Sequence, residues 1–230
     1  MTNVQQNLNQ ITNNVNDACT RSNRNPSEVT IIAVTKEVSV ERTEEVIQSG
    51  ITHLGENRPE GLKKKLDAIK NNIKWHYIGT LQTRKVKSVI NDVDILHSLD
   101  RLSLADEIEK RAVSTKDCFV QVNVSEEESK HGLSMEAVED FIKNLEKYSR
   151  IRVIGLMTMA PITEDESVIR TVFSNLKKLQ LKIAGQQIPY APCTELSMGM
   201  SGDYEIAIEE GATYVRIGTA LVGKERVEIK

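Results

Sequence analysis

The spacing of apolar positions changes along the chain. Val4, Leu8, Ile11, Val15 and Ala18 recur at intervals of three and four, which predicts an amphipathic helix over about residues 3–22, ended by Pro26. Beyond it, short runs rich in β-branched residues alternate with longer stretches of helical periodicity. VTIIAVTK (29–36), ITHLGEN (51–57), KWHYIG (74–79), DILHSLD (94–100), CFVQVNVS (118–125), IRVIGLMTM (151–159), TELSMG (194–199) and TYVRIG (213–218) read as eight strands. Helices are predicted between them near 41–48, 60–70, 83–90, 101–112, 135–148, 164–183 and 203–209. Strands separated regularly by helices pair in parallel, and eight such units close on themselves. The expected fold is therefore α/β, a (β/α)8 TIM barrel with an additional N-terminal helix, forming one domain over residues 1–230. An open doubly wound sheet is the alternative, but no G-x-G-x-x-G follows the first strand.

Composition narrows the function classes. The 230 residues suffice for one barrel, and 30 Lys+Arg against 33 Asp+Glu leave a net charge of −3. Such a balance provides no broad field for nucleic acid or an anionic membrane. No signal-like N-terminus and no long apolar span occurs, so a cytoplasmic protein is expected. The cysteines, Cys19, Cys118 and Cys193, form no C-x-x-C and read as packing residues in a reducing compartment. His53, His76, His97 and His131 show no metal-ligand spacing, and no metal is expected.

In a barrel of this kind the functional site lies at the C-terminal ends of the strands. Lys36 ends the first strand, and a period of two places it with Ile32 and Val34 on the inward face. An amine there either serves carbonyl chemistry as a nucleophile or extends to solvent as an ordinary surface lysine. After strands seven and eight, Gly199, Ser201, Gly202, Gly218 and Thr219 permit close backbone approach and add hydroxyls. These loops suit a phosphate, although Ser201 and Asp203 serve equally as helix caps. Arg216 alternates with Tyr214 and Gly218 and should point inward, toward a ligand or into a salt bridge with a carboxylate such as Glu56. Gln121 and Asn123 also face inward, and His76 and His97 are placed to hydrogen-bond in the same interior.

The ordered set AVTK (33–36), GEN (55–57), WHYIGTLQTRK (75–85), HSLD (97–100), QVNVSEEESKHG (121–132), GLMTMAP (155–161), LSMGMSGDYEIAI (196–208) and VRIGTALVG (215–223) resembles the pyridoxal phosphate homeostasis family, single-barrel relatives of the alanine racemase N-terminal domain. Arg84 departs from the family pattern, where Asn precedes the lysine of TLQTRK. The resemblance implies pyridoxal 5'-phosphate held as an imine on Lys36, its phosphate near Ser201, Gly218 and Thr219, its ring near Asn57, Met157 and Ser197, and its ring nitrogen facing Arg216. It implies a protein without an established catalytic reaction that carries and buffers this form of vitamin B6, affecting amino-acid and keto-acid metabolism; a monomer is expected, with cofactor-dependent apo-enzymes as candidate recipients. The alternatives are a pyridoxal-phosphate-dependent amino-acid racemase, for which the chain is expected to lack the second domain, and a phospho-metabolite enzyme of the same fold.

Overall fold

The computed structural model describes residues 3–127 and 130–223. Helix α1 runs Val4–Arg21, opened by the Asn3 side chain, which accepts from the Gln6 N–H. Its buried stripe is the one read from the sequence, Val4, Leu8, Ile11, Val15 and Ala18, with Cys19 added. The helix ends before Pro26: the Ser22 N–H bonds back to the Ala18 and Thr20 carbonyls, and Asn23 turns the chain at φ +53°. Pro26 instead opens a 3-10 turn, Pro26–Glu28, closed by a reciprocal Asn25/Glu28 capping box.

The strands are β1 (Thr30–Val34), β2 (His53–Glu56), β3 (Lys74–Tyr77), β4 (Ile95–Leu99), β5 (Lys116–Gln121), β6 (Ile151–Met157), β7 (Glu195–Ser197) and β8 (Tyr214–Ile217). Each pairs in parallel with its sequence neighbours, and β8 returns to β1, closing the barrel expected from the sequence. The intervening helices are α2 (Val40–Gln48), α3 (Pro59–Ala68), α4 (Leu102–Arg111), α5 (Ala137–Asn144), α6 (Glu166–Ala184) and α7 (Tyr204–Glu209), with α8 (Thr219–Val222) after β8.

Alternation along the strands produces two cores. Outward residues such as Ala33, Leu54, Cys118, Val120, Leu156, Val215 and Ile217 pack beneath the helices in one large cluster. Burying each such aliphatic side chain contributes roughly 1.5–3 kcal/mol. Inward residues form a much smaller apolar plug, Ile95, Phe119, Ile154 and Met157, joined by Met159 and Tyr214. The remaining interior is occupied by polar side chains. Gly155 permits the wall to close, because a Cβ there would sit 2.0 Å from the Glu195 carbonyl oxygen on β7.

The expected elements are altered in three places. β1 stops at Val34, because the Val38 N–H bonds to the Thr35 carbonyl and turns the chain toward α2. The segment expected as a helix near 83–90 is a 3-10 helix, Thr83–Ser88, without a side-chain cap. Helix α8 was not anticipated, since only turn chemistry was legible around Gly218. Helix α1 covers α7 and α8: Asn14 donates to the Tyr204 hydroxyl, and Asn7 donates to the Leu221 carbonyl.

Candidate functional site

Strand direction brings Lys36, Asn57, Met157, Ser197, Ser201, Arg216, Gly218 and Thr219 to the C-terminal half of one barrel. Lys36 lies two residues beyond β1 and is exposed. The inward face assigned to it assumed a strand continuing through residue 36; the turn after Thr35 releases the side chain toward solvent. An exposed amine escapes the desolvation cost of an enclosed ammonium and remains accessible to a ligand.

A buried ion pair fixes the segment carrying Lys36. Glu56, at the end of β2, accepts from Thr35 Oγ1 at 2.7 Å and from Lys65 Nζ at 2.5 Å. The same ammonium donates to the Thr35 carbonyl. Both charged side chains are almost fully enclosed, so α3, β2 and the end of β1 are held together at one point. Glu56 is thus committed to Lys65, and the salt bridge considered between Glu56 and Arg216 does not form. Asn57, half-buried, follows Glu56, and its carbonyl accepts from the Tyr77 hydroxyl at 2.9 Å.

Arg216 is buried on β8 and pointed at the top of the interior. Its Nη1 donates to the Ser197 carbonyl at 2.9 Å and to Ser197 Oγ at 2.5 Å, and its Nη2 donates to the Thr158 carbonyl at 2.9 Å. Of the roughly five N–H donors of a guanidinium, these bonds use three. Two are left unused by these bonds. Burial pushes the Arg216 pKa down to about 10, opposed by the nearby Asp203 carboxylate. It therefore stays charged at neutral pH and is a fixed donor. Asp203 is itself raised by burial, against the Met200 N–H that it accepts at 2.5 Å and the charge of Arg216.

The loops after β7 and β8 meet where Ser201 Oγ accepts from the Gly218 N–H at 3.3 Å. Gly199 lets the loop after β7 lie close against α7: its φ is +88°, and a Cβ would lie 2.6 Å from the Ala207 Cβ. Thr219, exposed, begins α8, and N–H groups in a first helical turn have no partner within the helix. Hydroxyls and backbone donors thus converge from two loops. Met157 closes the apolar plug from above.

Below Arg216 a line of imidazoles crosses the interior. Ser197 Oγ lies 2.9 Å from His97 Nδ1, His97 Nε2 lies 2.9 Å from His76 Nδ1, and His76 Nε2 lies 2.9 Å from His53 Nδ1. The expected interior bonding of His76 and His97 is present, and His53 extends it. His53 was missed, although its alternation with Leu54 already placed it inward. Lys65 was missed as well, although it shares the buried face of α3 with Pro59 and Leu62. Gln121 donates to the His131 carbonyl and Asn123 to the Glu127 carbonyl, so these two polar residues secure the loop after β5. Residues 128 and 129 of the 121–132 motif lie outside the described residues. The described residues contain no cluster of side chains suited to a metal and no helix long and apolar enough to cross a membrane.

The family "alanine racemase, N-terminal domain" matches residues 6–226. The chain is 38% identical over 223 residues to the pyridoxal phosphate homeostasis protein of Aquifex aeolicus, covering 95% of this chain and 97% of that protein. It is 32% identical over 233 residues to the protein of the same name from Escherichia coli, with 97% of each covered. Among solved structures it is similar to PipY of Synechococcus elongatus with pyridoxal phosphate bound, at a TM-score of 0.81 and 28% identity, covering 96% of this chain and all of that one. Alanine racemase of Clostridium difficile shares the fold at a TM-score of 0.76 and 16% identity, with 98% of this chain and 58% of that chain covered.

Proposed function

The chain belongs to the pyridoxal phosphate homeostasis protein family, and on that premise we propose that it binds pyridoxal phosphate at the C-terminal mouth of the barrel and carries or buffers it. The observation that carries this reading is the placement at one mouth of an exposed amine, Lys36, and a buried, permanently charged donor, Arg216. The residues fit the group. Pyridoxal phosphate supplies a reactive aldehyde that primary amines take up reversibly.

In this proposal Lys36 is the amine, with its backbone segment fixed by Glu56 and Lys65. Ser201, Thr219 and the Gly218 backbone hold the phosphate. Asn57, Met157 and Ser197 border the ring, and Arg216 offers its remaining donors to the ring nitrogen. A fixed cation there disfavours protonation of that nitrogen and restrains the cofactor as an electron sink.

The same residues favour a carrier over a racemase. Racemisation needs one group to remove a proton and another to return it on the opposite face. Lys36 supplies one. Arg216 is bound in place by Ser197 and Thr158, Tyr77 is pushed up to about 12 by burial and then by Glu60 and Glu56, and His97 is enclosed below Ser197. We accordingly read residues 1–230 as one cofactor-binding unit without catalysis of its own, acting as a monomer. Apo-enzymes that depend on pyridoxal phosphate are the proposed recipients, and the effect falls on amino-acid and keto-acid metabolism. The three cysteines are buried and free, which suits the reducing cytoplasm.

Borohydride reduction of the loaded protein followed by peptide mapping should place the label on Lys36; labelling confined to another lysine would overturn the assignment. Loaded protein should restore activity to an apo-enzyme without racemising alanine at typical enzyme rates of roughly 10 per second. Fast racemisation without delivery would favour the enzyme reading.

A further inference from the structure

Donor counting fixes which nitrogen of His53 faces away from the line of imidazoles. Arg216 donates to Ser197 Oγ, so the Ser197 hydroxyl proton goes to His97 Nδ1, 2.9 Å away. His97 then carries its own proton on Nε2 and donates to His76 Nδ1, and His76 likewise donates from Nε2 to His53 Nδ1. The opposite order would leave the proton of fully buried Ser197 without an acceptor among the described residues. His53 Nδ1 is thus spent as an acceptor, and its proton sits on Nε2, which bonds to none of the described residues. The line is closed at the mouth, where Ser197 Oγ meets Arg216 and His97, and it ends at the opposite face of the barrel as a fixed N–H donor.

That donor opens into a cavity of about 780 Å³ at the N-terminal ends of the strands. Lys74 is paired in register with His53 across β2 and β3, so both side chains leave the same face of the sheet. Its ammonium is more than half exposed and reaches Asp94 only at 3.3 Å, a weak surface pair that uses one of three donors. Tyr214, at the start of β8, puts its ring 6.2 Å from that of His53. Burial pushes the Tyr214 pKa up, so the hydroxyl keeps its proton at neutral pH, and it bonds to none of the described residues.

The charges of the lining select the ligand. Arg152 and Asp117 cancel in a two-point pair of 2.7 and 2.8 Å, and Asp94 answers Lys74 while accepting from the Trp75 N–H. Lys116 and Asp92 remain. Lys116 is nearly enclosed, its ammonium donating to the Val93 carbonyl at 3.1 Å without an ion pair among the described residues, whereas Asp92 is exposed. An exposed charge is screened by water and an enclosed one much less, so the cavity carries a net positive field. Burial pulls the Lys116 pKa down, with Asp94 opposing, and a bound anion would oppose it further. One negative charge answers this field. A second would meet Asp92, Asp94 and Asp117, which disfavours a dianion.

We propose that the N-terminal end of the barrel holds a ligand site of its own, in which His53 Nε2–H, the Lys74 ammonium and the Tyr214 hydroxyl receive the carboxylate of a small monocarboxylate. Val93, Ile95 and the Tyr214 ring offer apolar surface for its body, in a volume of the range that takes small molecules. Barrel enzymes place their chemistry at the other end of the strands, so the ligand here is bound and not transformed. None of these residues belongs to the cofactor site proposed at the mouth, and the two readings stand or fall separately.

Propionate, its neutral isostere propionamide and inorganic phosphate test the site, each added at constant ionic strength and pH 7 to protein labelled with ¹⁵N-histidine. In long-range ¹H–¹⁵N spectra His53 should carry its proton on Nε2. Propionate should shift the His53 signals saturably, with half-saturation at about 10 mM or below, while exposed His131 stays unmoved. Propionamide should bind about tenfold more weakly, and phosphate no better than propionate. K74M and Y214F each remove a polar group from a side chain that is not enclosed, keep its bulk, and should weaken propionate binding about threefold. A His53 proton on Nδ1, no saturable shift, propionamide binding as well as propionate, phosphate binding more tightly, or unchanged propionate binding in both variants would overturn the proposal.

Discussion

Acid should weaken this protein through its two enclosed imidazoles, by an amount that follows from their burial. His76 and His97 are both held far below the ordinary histidine value, first by desolvation and then by neighbouring positive charge. In the unfolded chain each titrates near 6.5. Below that pH the unfolded state therefore binds more protons than the native state, and stability falls as pH falls. The contribution is fully present above about 6.5 and is lost down toward the native value, about 3 for His76. Between pH 8 and pH 5 an imidazole that stays neutral in the native state costs about 2 kcal/mol, so the pair costs about 4 kcal/mol. Urea titrations followed by the fluorescence of Trp75, the single tryptophan, measure this directly. H76Q and H97Q should each flatten the profile by about 2 kcal/mol, whatever their stability at pH 8. A wild-type loss below about 1 kcal/mol, or an unchanged profile in H76Q, would show that these rings are charged or solvated in the native state and refute the reasoning.

K65M should destabilise by about 3–5 kcal/mol in urea unfolding, because it leaves Glu56 buried with only Thr35 as donor; K65M/E56L, which removes both charges, should recover a measurable part of the loss. G155A should cost about 3 kcal/mol or more and lower the melting temperature, since the new methyl group would overlap the Glu195 carbonyl. S201A/T219A should weaken pyridoxal phosphate binding much more than binding of unphosphorylated pyridoxal, measured by absorbance titration; equal losses would mean that the two hydroxyls are structural. R216M should raise the dissociation constant for pyridoxal phosphate in the same titration, and unchanged binding would remove Arg216 from the proposed site.

The sequence by itself determined the barrel and much of its mouth. Strand periodicity is a local property, and its regular alternation with helical spacing leaves few closed topologies, so eight parallel strands and the buried stripe of α1 were legible. So were the inward direction of Arg216 and the outward direction of Val215 and Ile217, because side chains alternate strictly within a strand. Alternation stops being informative where the strand stops, and that decided Lys36. The turn after Thr35 closes through the Val38 N–H, but Thr35 itself is anchored by long-range partners, Glu56 and Lys65, whose bonds no local pattern records. Only the tertiary structure determined that Glu56 pairs with Lys65 rather than Arg216, and that three histidines from three strands align within hydrogen-bond distance. Register around the barrel sets the height of each inward side chain, and register is fixed by packing among all eight strands, which no single segment of the chain encodes.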